Sequence, residues 1–527
     1  MRRLLVLSVM GAAVSAPPFP SPIEAQQASP ATSTRIHEIV SAVSAERIGH
    51  YIERLVGFGT RHTFSDTLSP TRGIGAARRW IFSEFERISA ECGGCLEITY
   101  MSEMYAPRRG IPDSMNVVDV VAIQRGMTDP NRMVVMSGDI DAIRSGGRGW
   151  GESDSVPGAN DNASGMAGTI EAARVLTKYR FNGSIVYLGL AGEEQGLLGG
   201  RTVARHARED GWNITGVLNN DMIGNIEGIS GATENITARV FSQPTPMSPG
   251  LRARVDETLN HIREIVSGGV VTRGRDTITL DDALRQMRTL TEAQWQLFRR
   301  GGGEVDGPSR QLARYVDRIA DDYLPTLDIK MIYRLDRFGR GGHHTPFNNE
   351  GFPGVRIMET NENYNRQHQD VRDEGGIHYG DVLEKVDFNY AAKLTALNAA
   401  TLASLAGAPG LPTDVRAAGS NSAAATLLWN SPSDEENVMG YRVYWRSTDS
   451  PTWDNSRWVG KPSDWPGKAA LEASQRRRAQ RFNREPPPLP AYGHRFEGLV
   501  IDNFYFGVAA VAADGSESTV VFPMPGN

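Results

Sequence analysis

Two short stretches put acidic residues where apolar runs end. VVMSGDIDAI (134–143) closes a hydrophobic run on Asp139 and Asp141, and PGANDNASG (157–165) holds Asp161 in a turn rich in Gly and Asn. The pattern continues along the chain. IVYLGLAG is followed by Glu193 and Glu194, TGVLNN by Asp221, and GRGGHHTPF presents His343 and His344. Carboxylates gathered in a partly buried cleft repel one another. A divalent cation resolves that conflict, and a pair of cations sharing one bridging carboxylate resolves it further. Carboxylate and imidazole donors suit zinc, with manganese or cobalt as alternatives. The adjacent pair Glu193–Glu194 allows one carboxylate to bind metal while its neighbour takes a proton from water. Singly, each residue has a plain explanation: a strand-end Asp forms turns, a Glu pair caps a helix, and paired His residues sit at a surface. Their combination and order point to hydrolytic metal chemistry.

Acids at strand ends must be positioned by strands that end together. Strand-like runs lie at 116–123, 133–137, 184–191, 215–219 and 353–358. Several are almost continuously apolar, as expected for strands buried on both faces of a sheet. Helical spacing in 166–179, and helical stretches at 30–60 and 72–88, alternate with them. This predicts a three-layer α/β/α domain over 30–405 with a mostly parallel mixed sheet, whose functional groups gather at the carboxyl edge. The polar segment 252–310 reads as an inserted surface excursion. After the linker AGAPGLPTDV, runs such as AAATLLWN and NFYFGVAAVAADG alternate with period two. With Trp429 in an early strand and Tyr505 in a late one, residues 411–527 resemble a fibronectin type III β-sandwich. Its arginine-rich QRRRAQRFNREPPPLP reads as a solvated loop, and a surface or polymer contact is the partner expected of this domain.

The 527 residues are 40% hydrophobic and 22% charged, with a net charge of −6, which gives no reason to expect nucleic acid as a partner. Two Arg, a short apolar run and a Pro-rich sequel at the N-terminus read as an export signal over residues 1–25, so the expected location is periplasmic or secreted. No segment reaches transmembrane length. The two cysteines, Cys92 and Cys95 in ECGGCLEI, are expected to form a local disulfide, since no second pair completes a zinc knuckle.

PGANDNASG, LAGEEQGLLGG, NNDMIG and GGHHTPF, in that order over about 110–405, resemble the di-zinc aminopeptidases of peptidase family twenty-eight, which includes bacterial leucyl aminopeptidases. The resemblance implies two divalent ions. Asp161 would bridge them, Glu194 and His344 would hold one, and Asp221 and the residue at 139 the other. Glu193 would be the general base acting on a metal-bridged hydroxide, and Asp141 an orienting acid. ENYNRQHQD (362–370) resembles a late segment near the substrate, which puts Tyr364 and His368 on the substrate side. Two positions depart from the pattern. Asp139 stands where a His ligand belongs, and His343 where an Asp usually precedes the last ligand. Asp139 is nonetheless expected to bind metal, with His343 as a hydrogen-bonding partner for it or for another ligating carboxylate. The implied function is an exported aminopeptidase acting on peptide N-termini. The alternatives are a carboxypeptidase or dipeptidase on the same scaffold, or a binding protein impaired in catalysis by Asp139.

Overall fold

GSIVYLGL (183–190) is buried at every position, and MVVMSGD ends a second run that is almost as dry. Such segments cannot face water on either side, so they become inner strands of a sheet covered by helices on both faces. The computed structural model describes residues 33–107, 114–144, 155–244, 249–273, 276–300, 303–335, 341–419, 422–486 and 488–523. The expected export signal lies outside them.

Eight strands form the main sheet: β1 (Leu96–Tyr105), β2 (Met115–Gln124), β3 (Asp129–Asp139), β4 (Gly183–Leu190), β5 (Asn213–Asn220), β6 (Thr237–Ser242), β7 (Asp328–Ile332) and β8 (Gly354–Glu359). Their spatial order is β1-β2-β4-β3-β5-β8-β6-β7. The central four, β4, β3, β5 and β8, run parallel, while β2 and β6 flank them antiparallel. In β3, Val134 and Met136 face one core cluster and Met133 and Val135 the other, the alternation that a strand's pleat dictates. Helices Ala45–Val56, Gly73–Glu91, Ala163–Leu176 and Phe388–Gly407 cover the first face; Leu198–Glu209 and His344–Asn349 cover the second. The layers are those of a three-layer α/β domain.

Two glycines bring helix Ala163–Leu176 down onto the site end of β3. A Cβ at Gly138 would lie 2.4 Å from the Gly165 backbone, and one at Gly165 would lie 2.4 Å from the Asn220 carbonyl. Larger residues there would push the helix off the strand. The segment expected as an excursion forms helices Pro249–Val266 and Leu280–Arg300, with a two-stranded ribbon, Val271–Arg273 with Asp276–Ile278, between them. Cys92 and Cys95 are disulfide-bonded across a turn in which Gly93 and Gly94 take positive φ. Among the described residues, no helix is long and apolar enough to cross a membrane.

The C-terminal region is all-β apart from short helices. Strands Thr413–Ala418, Ala424–Asn430 and Tyr492–Glu497 form one antiparallel sheet, and Asn455–Gly460, Gly440–Ser447 and Phe504–Val511 another. They enclose Trp429, Tyr441, Val443 and Val508, all fully buried. The arginine-rich stretch differs from the solvated loop expected of it. Lys468–Arg481 is a helix, though it has no buried residue, so good helix formers fold locally without packing.

Buried ion pairs tie this region to the α/β domain. Asp306 lies 3.3 Å from Arg314 and 2.8 Å from Arg446 of the β-region, with side-chain exposures of 1–3%. Glu517 likewise accepts from Arg318 of helix Pro308–Tyr323 and from Arg442. Removing one member of such a set strands a buried charge, at a cost of about 3–5 kcal/mol. Asp306→Ala is therefore expected to lower the thermal midpoint by several degrees, read by calorimetry of the full chain. An unchanged midpoint would show that the contact carries no weight.

Candidate metal centre

The parallel strands deliver their acids to one edge. Asp139 is paired in register with Leu190, so β3 and β4 end together, and the 191–194 turn lies beside Asp139 and Asp141. Asp221 follows β5 directly. Asp161 is presented by a turn whose backbone is clamped by a residue with no spacing signal in the sequence. Asp381 accepts from the Asn160 N–H at 2.8 Å and from the Asp161 N–H at 2.7 Å.

Three donors converge. Asp161, Glu194 and His368 each offer one atom, and these atoms all lie within 4.8 Å of one another. His368 Nε2 is 2.9 Å from Asp161 Oδ2 and 3.0 Å from Glu194 Oε1. Burial alone would lower the His368 imidazole, but the charges and hydrogen bonds of Glu194 and Asp161 outweigh it and raise it to about 11. The electrostatics at this point favour a cation. Two carboxylates and an imidazole are also a donor set for catalytic zinc, which takes three protein ligands and keeps one position open. The residues fit the metal.

Glu193 stands beside this triad. Burial pushes its carboxyl well above the usual range, with Glu194, Asp221, Asp139 and Asp141 adding to the shift. Asp141 holds the turn that carries it. Its two oxygens accept from the Glu193 and Glu194 backbone N–H groups at 3.2 and 3.3 Å, and Thr63 Oγ1 donates to it at 3.0 Å. Asp141 thus orients the Glu–Glu turn. Burial and Glu194 raise its own carboxyl to about 6, against the opposing pull of His343 and those backbone donors.

The second ion implied by the resemblance fits less well. Asp139 Oδ1 lies 2.6 Å from His343 Nδ1, and Oδ2 accepts from Asn162 Nδ2 at 2.7 Å. Asp221 Oδ2 lies 2.9 Å from Arg356 Nη2. Neither carboxylate joins a three-donor cluster among the described residues. Burial lowers His343 to about 4, so its imidazole is neutral.

The two adjacent histidines part company. His344 turns away from the acids, its Nε2 2.7 Å from Gln243 Nε2, and burial, with Arg356 and His343 nearby, lowers it to about 3. The imidazole that faces Glu194 belongs to His368, which the sequence placed on the substrate side. Tyr364 is 44% exposed, and its hydroxyl donates to Glu362 rather than into the triad. Arg356 and Asp381 had no signal in the sequence, because each acts through a contact made only by folding.

The description "Peptidase family M28" matches residues 119–243, a span that contains all six acids and none of the three histidines. A probable zinc metalloprotease of Pyrenophora teres f. teres is 36% identical over 498 residues, covering 93% of this chain and 87% of the relative. Another, of Leptosphaeria maculans, is 34% identical and covers 94% of this chain and 98% of the relative. The chain belongs to peptidase family M28. Among solved structures, the LapA aminopeptidase of Legionella pneumophila aligns with a TM-score of 0.44 at 16% identity, covering 71% of this chain and 74% of that one. This M28 chain is a metal-dependent peptidase, and zinc is the metal its relatives are named for. The matched span stops before His368, which lies 147 residues beyond Asp221 (368 − 221).

Proposed function

We propose that the protein is an exported aminopeptidase that removes N-terminal residues from peptides, with zinc held by Asp161, Glu194 and His368. The observation that carries this reading is the pairing of Glu194 in the triad with Glu193 beside it, on a turn fixed by Asp141. When bound, zinc supplies Lewis-acid chemistry, polarising the scissile carbonyl and making water more acidic. Glu193 takes the proton of the attacking water and passes it to the leaving amine. Its burial beside other acids raises its carboxyl, which suits a group that must hold that proton between the two events. The acids gathered at this edge of the sheet favour a substrate's protonated α-amine over a terminal carboxylate. The N-terminal sequence supports export, and the Cys92–Cys95 disulfide agrees with an oxidising compartment.

Aminoacyl-nitroanilides with a free amine are expected to be hydrolysed, and their N-acetylated counterparts left intact. Release of C-terminal residues from N-blocked peptides would replace this reading with a carboxypeptidase. No turnover of either, with zinc bound, would leave a binding protein.

A further inference from the structure

We infer that the metal centre is mononuclear, the position of a second ion being held by two of the chain's own side chains, Arg356 on Asp221 and His343 on Asp139. This rests on the zinc reading of the Asp161–Glu194–His368 triad and concerns what lies beside it.

Arg356 sits in β8, in register with Asn219 of β5, and reaches Asp221 just past the end of that strand. Both side chains are sunk in the protein, with exposures of 1% and 7%. A guanidinium cannot relieve a clash by giving up its proton, as a lysine or histidine can. A dication bound to Asp221 would therefore sit against a permanent positive charge with little solvent to screen it.

Asp139 is engaged on both oxygens. A 2.6 Å separation between His343 Nδ1 and Asp139 Oδ1 requires a hydrogen between them, and Asn162 takes the other oxygen. Asn162 cannot easily let go. Its Oδ1 caps helix Ala163–Leu176 by accepting from the Gly165 N–H, and its Nδ2 also donates to the Asn220 carbonyl. The His343 ring is wedged in place as well, since a Cβ at Gly200 would lie 2.5 Å from its Cδ2. Swinging it aside means moving a packed helix. The rigid neighbourhood fixes Asp139 as a hydrogen-bond acceptor, and among the described residues the one cluster of three donors, Asp161, Glu194 and His368, does not include it.

The full-length protein, stripped with chelator, titrated with zinc chloride and desalted, is expected to retain one zinc per chain by elemental analysis. Retention of two would overturn the inference while leaving the peptidase reading standing; retention of none would overturn both. Asp139→Asn, which keeps the side chain's shape, is expected to keep that one equivalent, and its loss would assign Asp139 to the metal. Cobalt-loaded wild-type protein gives a check that needs no variant. Its electron paramagnetic resonance signal should be that of isolated high-spin cobalt, and spin coupling between two ions would refute the proposal.

Discussion

Replacing Glu193 with Gln is expected to lower kcat by at least ~100-fold, the usual scale for a positioned proton carrier, while leaving the fold and zinc content unchanged. Gln has nearly the same volume, and the backbone N–H that Asp141 holds at this position is kept. Glu194, and not Glu193, offers the oxygen that faces Asp161 and His368. Turnover of a free-amine nitroanilide and elemental zinc should be measured on the same sample. Loss of zinc along with turnover would make Glu193 a ligand and require a different base.

The second large effect separates three histidines. His368→Ala removes one donor of the triad, and zinc affinity should fall by more than the 10–100-fold that loss of an outer hydrogen-bonding partner costs. His344→Ala should leave zinc bound. That side chain is buried and contacts Gln243, so its removal acts on packing and not on the metal. His343→Ala should also retain zinc, since its contact is with Asp139, outside the triad. Competition with a chromogenic chelator ranks the three variants directly. If His344→Ala loses zinc and His368→Ala keeps it, the triad described here is not the metal centre.

That contrast shows where the sequence was informative. The inner strands announced themselves because burial on both faces leaves an unbroken apolar run, and 184–191 matches β4 to within a residue at each end. Edge strand β1 went unseen. Its LEITYMSEMY is buried only at Leu96, mixes half-buried and exposed positions after that, and carries two Glu, so only its place in the sheet gives it meaning. The acids were legible for the same reason as the strands, since a carboxylate after an apolar run lies at the carboxyl edge of a parallel sheet. His368 had no such marker. It lies in an irregular segment with φ +58, a backbone conformation that follows no periodic pattern, and it reaches Glu194 across 174 residues of sequence (368 − 194). The conspicuous GGHHTPF pair drew the ligand assignment to His344 instead. The N–H groups held by Asp381 and the charge held by Arg356 are long-range contacts of the same kind, invisible until the chain is folded.

Asp139 and His343 are 204 residues apart in sequence yet share one short contact between buried side chains. The two orders in which they could exchange identities are therefore unequal in cost. Changing 343 to Asp first would press two buried carboxylates together, and one of them would have to take up a proton, at a cost in stability. Changing 139 to His first would set two neutral rings side by side, a crowded but uncharged neighbour pair. Of the two single-step routes between Asp–His and His–Asp at these positions, the one through His–His buries no second acid.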